Sequence, residues 1–332
     1  MDAPLWTERH APALADIPQS GVREALGRAV DEPMNLVVHG PQGAGKTAAV
    51  RALAREAHED PDNDLVELNV ADFFARTKKE IRNDPRFEPF LAGRSAMSKR
   101  DMINHVLTEV SGYAPVSGAY KTVLLDNSEA IREDFQQALR RVMEKHYRTT
   151  QFVIATRQPS TLIAPIRSRC FDVPVRAPTH DEVADALVRV LEAEGADYDD
   201  DGVEYVAGYA GGDLRRAVLG AQTTVEEEGV LTMEAAYEAL SEVGSDDRAA
   251  EMLTAAEEGR FGDARSTLDD LLYDEGLSGR EVLEDLLAAA RSRYSGAELA
   301  RLTRLAGETD ADLVEGTSDR VHLSRLLARL SA

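Results

Sequence analysis

A glycine-rich segment near the N-terminus constrains the fold of this chain more than any other feature. The segment reads HGPQGAGKT and fits the pattern G-x-x-x-x-G-K-T, with Gly40, Gly45, Lys46 and Thr47 at its fixed positions. Successive backbone N–H groups in such a loop form a concave anion site, and the positive N-terminal end of the following helix adds to it. The lysine reaches the β- and γ-phosphates of a nucleotide, and the threonine hydroxyl ligates Mg²⁺. The segment therefore predicts a site for a nucleoside triphosphate.

The residues on either side of this loop supply the strand and the helix that the pattern requires. The apolar run NLVV at 35–38 precedes the loop, and TAAVRALAREAHE, which begins inside it, has helical periodicity. Glycine at positions 43 and 45 keeps side chains away from the phosphates. We expect the nucleotide to contact the whole loop and the start of the helix, namely Gly40, Pro41, Gln42, Gly43, Ala44, Gly45, Lys46, Thr47 and Ala48.

Three further apolar runs predict more strands. They are LVELNV at 65–70, TVLLD at 122–126 and QFVIAT at 151–156. Between the last two, IREDFQQALRRVMEKHY places an apolar stripe on one face of a helix, made of Ile131, Phe135, Leu139, Val142 and Met143. Strands that alternate with helices predict a parallel sheet covered by helices, with ligands beyond the carboxyl ends of the strands.

The sequence after residue 176 has a helical pattern, and we expect no further strands there. Capping-box spacing at Thr179/Glu182 and at Ser278/Glu281 opens two helices, and the polar stretch SEVGSDD at 241–247 indicates a boundary. We therefore predict an α/β fold followed by all-α domains: a nucleotide-binding domain over 1–176, a small helical lid over 177–243 and a helical collar over 244–332. Apolar stripes of the collar contain Leu268, Leu271, Leu272, Leu323, Leu326 and Leu327.

The composition limits the environment and the partners of the chain. It has 332 residues with 38 Lys+Arg against 60 Asp+Glu, a net charge of −22, which argues against a bulk nucleic-acid binder. With only six lysines and its acidic residues spread along the chain, it is typical of proteins from salt-loving cells, with an acidic mesophilic protein as the alternative. Cys170 is the single cysteine, and we expect a core residue. The sequence shows neither a signal peptide nor an apolar run of about 20 residues, so we expect a cytoplasmic protein.

The end of the third predicted strand carries the remaining groups that an ATPase needs. Such an enzyme requires one carboxylate to hold Mg²⁺ and a second to activate water. Asp126 supplies the first, whereas the position of the second holds Asn127. Because an amide cannot accept the proton of water, we expect hydrolysis to lose a contribution of about 10²–10⁴-fold. Glu129 could replace the base from the next loop, or it could have a solvated or capping role.

Taken in order, these and other segments resemble the small subunits of replication factor C, the archaeal and eukaryotic clamp loader among the AAA+ ATPases. PLWTERHAP, GPQGAGKT, VELNVAD and APIRSRC resemble the family's PLWVEKYRP, GPPGTGKT, ELNASD and EPIQSRC. QQALRRVME, GGDLRRAV and LVEGTSDRVHLSRLLARL resemble its central helix, lid sensor segment and collar end. Single motifs recur across AAA+ proteins, but the ordered set is specific to this family.

The resemblance implies a hetero-pentamer that loads the sliding clamp PCNA onto primer–template DNA in replication and acts as a DNA-dependent ATPase. ATP lies at each subunit interface. Lys46, Thr47 and Asp126 would bind ATP and Mg²⁺ within the chain, together with Arg215 as the lid sensor. Arg169 of the SRC motif would be an arginine finger that reaches the nucleotide of a neighbouring subunit; by itself it would indicate only a surface ion pair.

The same resemblance assigns a DNA-facing role to Arg140 and Arg141 of the central helix, for which a solvated helix face is the alternative. Other positions depart from the family. Arg157 stands at the sensor asparagine, and His10 and Ala11 replace an aromatic residue and a cation near the base. The lone histidine indicates a packing residue more than a switch. Segment 73–104 is basic and could face clamp or DNA, or be a solvated insertion.

These departures predict a divergent second type of small subunit. Such a subunit would bind ATP tightly, hydrolyse it poorly and still donate its arginine finger to a neighbour. A non-hydrolysing scaffold and an independent homo-oligomeric AAA+ remodelling ATPase remain as alternatives.

Overall fold

The computed structural model describes residues 4–71, 77–83, 91, 97–241, 245–274, 277–316 and 318–331. The chain divides into two compact units, Met1–Ala236 and Tyr237–Ala332. Among the described helices, none combines the length and apolar character needed to cross a membrane.

The first unit contains a five-stranded parallel sheet with the strand order β2-β3-β4-β1-β5. Its strands are β1 Leu36–His39, β2 Leu65–Asn69, β3 Lys121–Asp126, β4 Thr150–Thr156 and β5 Phe171–Pro174. The first four confirm the predicted runs. The sequence pattern misses β5 because this edge strand turns only Val173 into the core and leaves Phe171 43% exposed.

Helices accompany the sheet in the first unit. They are α1 Trp6–Arg9, α2 Ser20–Asp31, α3 Lys46–Ala57, α4 Pro61–Asp64, α5 Lys78–Asn83, α6 Lys99–Gly112, α7 Glu133–His146, α8 Ala164–Arg167, α9 His180–Glu194, α10 Asp200–Ala210 and α11 Leu214–Glu228. The next helix, α12 Met233–Ser241, crosses the division between the units.

Two hydrophobic clusters lie on the two faces of the sheet, because alternate residues of a strand point to opposite faces. One contains Phe152 and Ile154 of β4 with the side chains of α6 and α7, and the other contains Val153 and Ala155 with those of α2 and α3. The predicted stripe of α7 is buried in the first cluster, where Leu139 is 0% exposed. The sheet thus holds the carboxyl ends of β1, β3 and β4 at one edge.

Helices α9–α11 continue the first unit beyond the sheet. The predicted capping box is present, since the side chain of Thr179 accepts from the backbone of Glu182 and that of Glu182 from the backbone of Thr179. The expectation of no further strands is wrong, because β6 Asp197–Tyr198 and β7 Val230–Leu231 pair in parallel. Strands of two residues cannot show a period in the sequence.

The second unit is helical. Its helices are α13 Ser245–Glu257, α14 Phe261–Asp269, α15 Gly279–Arg293, α16 Gly296–Glu315 and α17 Asp319–Leu330, with a π-helical turn at Asp270–Asp274. The capping box of Ser278 and Glu281 opens α15 as predicted. Five of the six predicted collar leucines are buried in its core, and Leu272 packs at the edge of that core.

Candidate nucleotide-binding site

The glycine-rich loop connects β1 to α3, as the pattern predicts. The strand ends at His39 and the helix begins at Lys46. A Cβ atom at Gly40 would lie 1.8 Å from the carbonyl oxygen of Val175, so only glycine fits there. Gly43 has φ +68° and no room either, since its Cβ would lie 1.9 Å from Cγ of Asp213. Close contacts therefore fix the loop on two sides, and its glycines leave the backbone N–H groups uncovered by side chains.

Lys46 and Thr47 are the first two residues of α3, directly after this loop. The Nζ atom of Lys46 donates hydrogen bonds to the carbonyl oxygens of Gly40 at 2.9 Å and Pro41 at 2.6 Å. Burial lowers the pKa of Lys46, and the carboxylates of Glu129 and Asp126 partly offset that effect. Its ammonium group thus lies against the loop carbonyls, where a lysine of this pattern meets phosphate oxygens.

The hydroxyl of Thr47 donates to Oδ2 of Asp126 at 2.8 Å, which joins the helix start to the end of β3. Among the described residues no group of three or more His, Cys, Asp or Glu is arranged to hold a metal ion. Mg²⁺ in nucleotide sites takes one or two protein oxygens and completes its shell with phosphate and water. The Thr47 and Asp126 pair fits a site of this kind.

Asn127 follows Asp126 in a left-handed conformation. Its φ is 51° and ψ 48°, and it is the one residue other than glycine with positive φ in the described part of the chain. Asparagine tolerates this conformation better than most residues. Its backbone N–H donates to Oδ1 of Asp126 at 2.9 Å, so the Asp126 carboxylate is held from two sides. The residue in the position of the base is an amide in a turn.

Glu129 and Arg157 form an ion pair beside the loop. Oε1 of Glu129 accepts from the backbone N–H of Arg157 at 2.7 Å and from its Nε at 2.9 Å. Nη1 of Arg157 donates to the side-chain oxygen of Gln42 at 3.2 Å. The Glu129 side chain is 14% exposed, so its carboxylate is committed to Arg157 rather than solvated.

The lid contacts the loop through the start of α11. The backbone N–H of Leu214 donates to the carbonyl oxygen of Gly43 at 3.0 Å, and the Asp213 side chain caps the helix by accepting from the backbone of Arg216 at 2.9 Å. Arg216 stacks on the ring of Tyr209 at 4.1 Å. Arg215 is exposed and makes no hydrogen bond or ion pair with the described residues. The predicted sensor therefore starts the helix that touches the loop, with its charge unneutralised.

The N-terminal segment also joins the lid. The backbone N–H of Trp6 donates to Oε1 of Gln222 at 2.8 Å, and Arg9 pairs with Glu194 at 2.6 Å. His10 is hydrogen-bonded to the same carboxylate, and this bond together with Arg9 lowers the pKa of Glu194. His10 is thus a polar link between the first residues and α9.

Comparisons with known proteins show the family of the chain. A family model described as "ATPase family associated with various cellular activities (AAA)" matches residues 36–179, and one described as "Replication factor C C-terminal domain" matches residues 245–329. The replication factor C small subunit of Halobacterium salinarum is 30% identical over 333 residues, covering 98% of this chain and 96% of the relative. The chain belongs to the replication factor C small-subunit family.

Other relatives carry the same name. The replication factor C small subunit of Thermofilum pendens is 30% identical over 342 residues, covering 100% of this chain and 97% of the relative. Among solved structures, the RuvB Holliday junction branch migration motor of Thermotoga maritima superposes with a TM-score of 0.54 at 16% identity, over 77% of this chain and 84% of RuvB. At that identity the likeness shows the AAA+ fold alone.

Arg169, which the replication factor C resemblance assigns to the finger, contacts α7. Nη2 of Arg169 donates to Oε1 of Glu144 at 2.7 Å, and Nη1 donates to the carbonyl oxygen of Pro165 at 2.7 Å. Oε1 of Glu144 is also 3.7 Å from Nε of Arg140, and Arg141 beside it is exposed. Among its contacts with the described residues, none joins Arg169 to the loop of its own chain.

Two other predictions have different outcomes. Cys170 packs at the edge of the core, and burial raises the pKa of its thiol to about 12, so it is a poor nucleophile. Segment 73–104 lies largely outside the described residues, which include only 77–83, 91 and 97–104 of it.

Sequence reasoning missed two residues that contact the loop. Asp213 lies against Gly43 of the loop from 170 positions further along the chain, and no local sequence pattern predicts that contact. Gln19 is 4% exposed, and its Nε2 donates to the carbonyl oxygens of Ala44 at 3.4 Å and Arg176 at 2.8 Å. A buried amide thus ties the loop to the chain that enters the lid.

Proposed function

We propose that this chain is a small subunit of a replication factor C clamp loader, which binds ATP with Mg²⁺ where two subunits meet. With the other replication factor C subunits of a hetero-pentamer, it would load the sliding clamp PCNA onto primer–template DNA. The observation that carries the proposal is the site itself: the bare loop, Lys46 and the 2.8 Å pair of Thr47 and Asp126 lie together in a chain of this family.

Each residue of the site has a separate task in binding. The loop from Gly40 to Ala48 offers backbone N–H groups to the phosphates, Lys46 offers its ammonium group, and Thr47 and Asp126 would hold Mg²⁺. Bound Mg²⁺ supplies positive charge that neutralises the phosphates. Arg215 at the start of α11 would add a second positive group from the lid, because it carries no partner among the described residues.

Hydrolysis in this site is expected to be slow for two reasons. Asn127 cannot accept a proton from water, and the carboxylate of Glu129, which could replace it, is bonded to Arg157. Loss of general-base assistance lowers a rate by about 10²–10⁴-fold. The chain would therefore hold ATP longer than subunits with an Asp-Glu pair.

Residues on and beside α7 would serve the neighbouring subunit and DNA. Arg169 is 39% exposed and would exchange Glu144 for the γ-phosphate of the next subunit. Such a guanidinium is always charged and can bind phosphate through two nitrogens. Arg140 and Arg141 on α7 would contact the DNA backbone, which positions the duplex without reading its sequence. The acidic surface suits a salt-rich cell, since the net charge is −22.

Nucleotide binding and native mass together test the proposal. Isothermal titration should show Mg²⁺-dependent binding of ATP by the chain, loss of binding in Lys46→Ala, and normal binding in Lys145→Ala, which changes an exposed lysine of α7. Absence of binding in the unaltered chain would refute the proposal.

Native mass spectrometry separates the alternative assemblies. A mixed pentamer with a second P-loop subunit is expected. A ring of identical subunits would indicate a remodelling ATPase instead, and clamp loading that survives Lys46→Ala would indicate a scaffold.

A further inference from the structure

Gln19 places a buried amide between the glycine-rich loop and the chain that enters the lid. It directly precedes α2 and is 4% exposed. Its Nε2 donates to the carbonyl oxygen of Arg176 at 2.8 Å and, less closely, to that of Ala44 at 3.4 Å. Because an amide nitrogen carries two N–H groups, one side chain can hold both carbonyl groups at the same time.

The carbonyl end of the same side chain has no partner. Oε1 of Gln19 is buried and accepts no hydrogen bond from the described residues. A buried acceptor without a donor destabilises the folded state, and an apolar side chain of similar length would fill the space without that cost. What the amide contributes here is therefore its two donated bonds, one to the loop and one to the lid entry.

The lid entry, residues 175–178, leads from β5 to α9 and is packed against the loop. The backbone N–H of Val175 donates to the carbonyl oxygen of His39 at 2.7 Å, and a Cβ atom at Gly40 would lie 1.8 Å from the carbonyl oxygen of Val175. The guanidinium of Arg176 pairs with Glu182 in the first turn of α9 at 2.6 Å. Residue 176 is thus held by Gln19 through its backbone and holds α9 through its side chain.

The loop also holds the lid at a second point, next to the first. The backbone N–H of Leu214, which begins α11, donates to the carbonyl oxygen of Gly43 at 3.0 Å. Gly43 and Ala44 are neighbours in the loop, so one contacts the start of α11 directly and the other contacts the entry of α9 through Gln19. Two separate attachments fix the orientation of the lid, whereas a single one would leave it free to rotate.

We propose that Gln19 is a positioning residue that couples the glycine-rich loop to the lid, so that a triphosphate bound in the loop also fixes the orientation of α9–α11. The inference rests on the proposed function, because it needs nucleotide phosphates in the loop. Phosphate oxygens bound to the backbone N–H groups of the loop hold its peptide groups in one orientation, including the carbonyl of Ala44. Gln19 then holds Arg176 relative to that carbonyl. Without the amide, the loop still binds the phosphates, but the lid keeps only its attachment at Gly43.

Hydrogen exchange of the full chain, with and without a saturating non-hydrolysable ATP analogue and Mg²⁺, tests the coupling. In the unaltered chain the analogue should slow exchange both in segment 40–57 and in α9–α11. Gln19→Met keeps the length of the side chain and removes both donors. It should retain the protection of segment 40–57 and lose roughly half or more of the protection that the analogue induces in α9–α11. Its affinity for the analogue should fall by about 2- to 10-fold, the value of a lost hydrogen bond.

Gln222→Met is the matched control, because Gln222 is a second glutamine that is 4% exposed. Its hydrogen bonds with the described residues go to Trp6 and Glu226 rather than to the loop. Loss of this amide should lower stability as well, but the protection that the analogue induces in α9–α11 should survive. Gln19→Asn replaces the methionine variant if that variant does not fold. Its side chain is one methylene shorter and cannot span both carbonyl groups, so the same loss of protection is expected.

The outcomes separate this inference from the proposed function. No binding of the analogue by the unaltered chain would refute both. Binding that leaves exchange in α9–α11 unchanged in the unaltered chain would refute the coupling alone. Full protection of α9–α11 in the Gln19 variant would also refute it, and so would equal losses in the Gln19 and Gln222 variants, which would indicate a general loss of stability. Circular dichroism without nucleotide shows that each variant is folded.

Discussion

The contact between the loop and the lid can be tested by a double-mutant cycle on Gly43 and Asp213. A methyl group at Gly43 would lie 1.9 Å from Cγ of Asp213, at a backbone φ of +68°. The left-handed conformation costs alanine about 1–2 kcal/mol. The Asp213 side chain must also leave its cap on α11, and a lost N-cap costs about 1 kcal/mol. Gly43→Ala should therefore lower the free energy of unfolding of the first unit by about 2–3 kcal/mol.

The double-mutant cycle separates the energy of the steric contact with Asp213 from the energy of the left-handed backbone at Gly43. Asp213→Ala alone loses the cap and should cost about 1 kcal/mol. Added to Gly43→Ala it should cost almost nothing, because the collision has already displaced that side chain. The expected coupling is therefore about 1 kcal/mol, well above the roughly 0.3–0.5 kcal/mol within which independent sites add.

Urea unfolding without nucleotide, followed by tryptophan fluorescence, measures the unfolding free energy of the first unit, which contains both residues. Trp6 is the single tryptophan, lies in the first unit and is 6% exposed. Gly27→Ala is the matched control: no atom lies within 4 Å of its added Cβ, and α2 should gain up to about 1 kcal/mol. Additive costs for Gly43→Ala and Asp213→Ala would refute the reasoning, since they would mean that the two residues do not collide.

Three further predictions use the same tryptophan signal or the assembled complex. Thr179→Ala should cost about 1 kcal/mol by removing the cap of α9, whereas Thr179→Ser, which keeps the hydroxyl, should cost much less. Burial lowers the pKa of Lys121 from 10.5 to about 8. Between these two pH values the unfolded chain binds more protons than the folded chain, so the free energy of unfolding should rise with pH across that window. Lys121→Met should abolish this rise. Glu144→Gln should weaken the hold on Arg169 and raise the ATPase rate of the assembled loader, and an unchanged rate would show that the ion pair does not restrain the finger.

Local patterns in the sequence predicted the parts of the fold that local physics determines. Buried strands such as β3 and β4 read as apolar runs because both of their faces are covered. Capping at Thr179 and at Ser278 depends on residues three positions apart, so spacing alone identifies it. By contrast β5 turns one side chain inward, and β6 and β7 have two residues each, which leaves no period to detect.

The candidate site was predictable where one segment supplies it and unpredictable where the sheet assembles it. The loop and its lysine lie within one short motif, and the apolar strand before Asp126 predicted the position of that carboxylate. The partners of Arg157 lie 28 and 115 residues away in sequence. Neither separation has any sequence signal, because only the order of the strands brings these residues together. The assignment of Arg169 to a neighbouring subunit came from family resemblance and remains a proposal.

The charged residues near the departures from the family pattern lie close enough to act on one another. An arginine at 157 without Glu129 would leave only Asp126 and Asp213 to offset its effect on Lys46, and Glu129 without the arginine would lose its ion-pair partner. A glutamate at 127 would add another carboxylate next to Asp126, in a left-handed turn that suits asparagine. Each residue is therefore acceptable because the others are present. Under the proposed function, a site with an amide at the base position and its nearest other carboxylate bound to an arginine would keep its nucleotide longer than it would take an intact site to hydrolyse it.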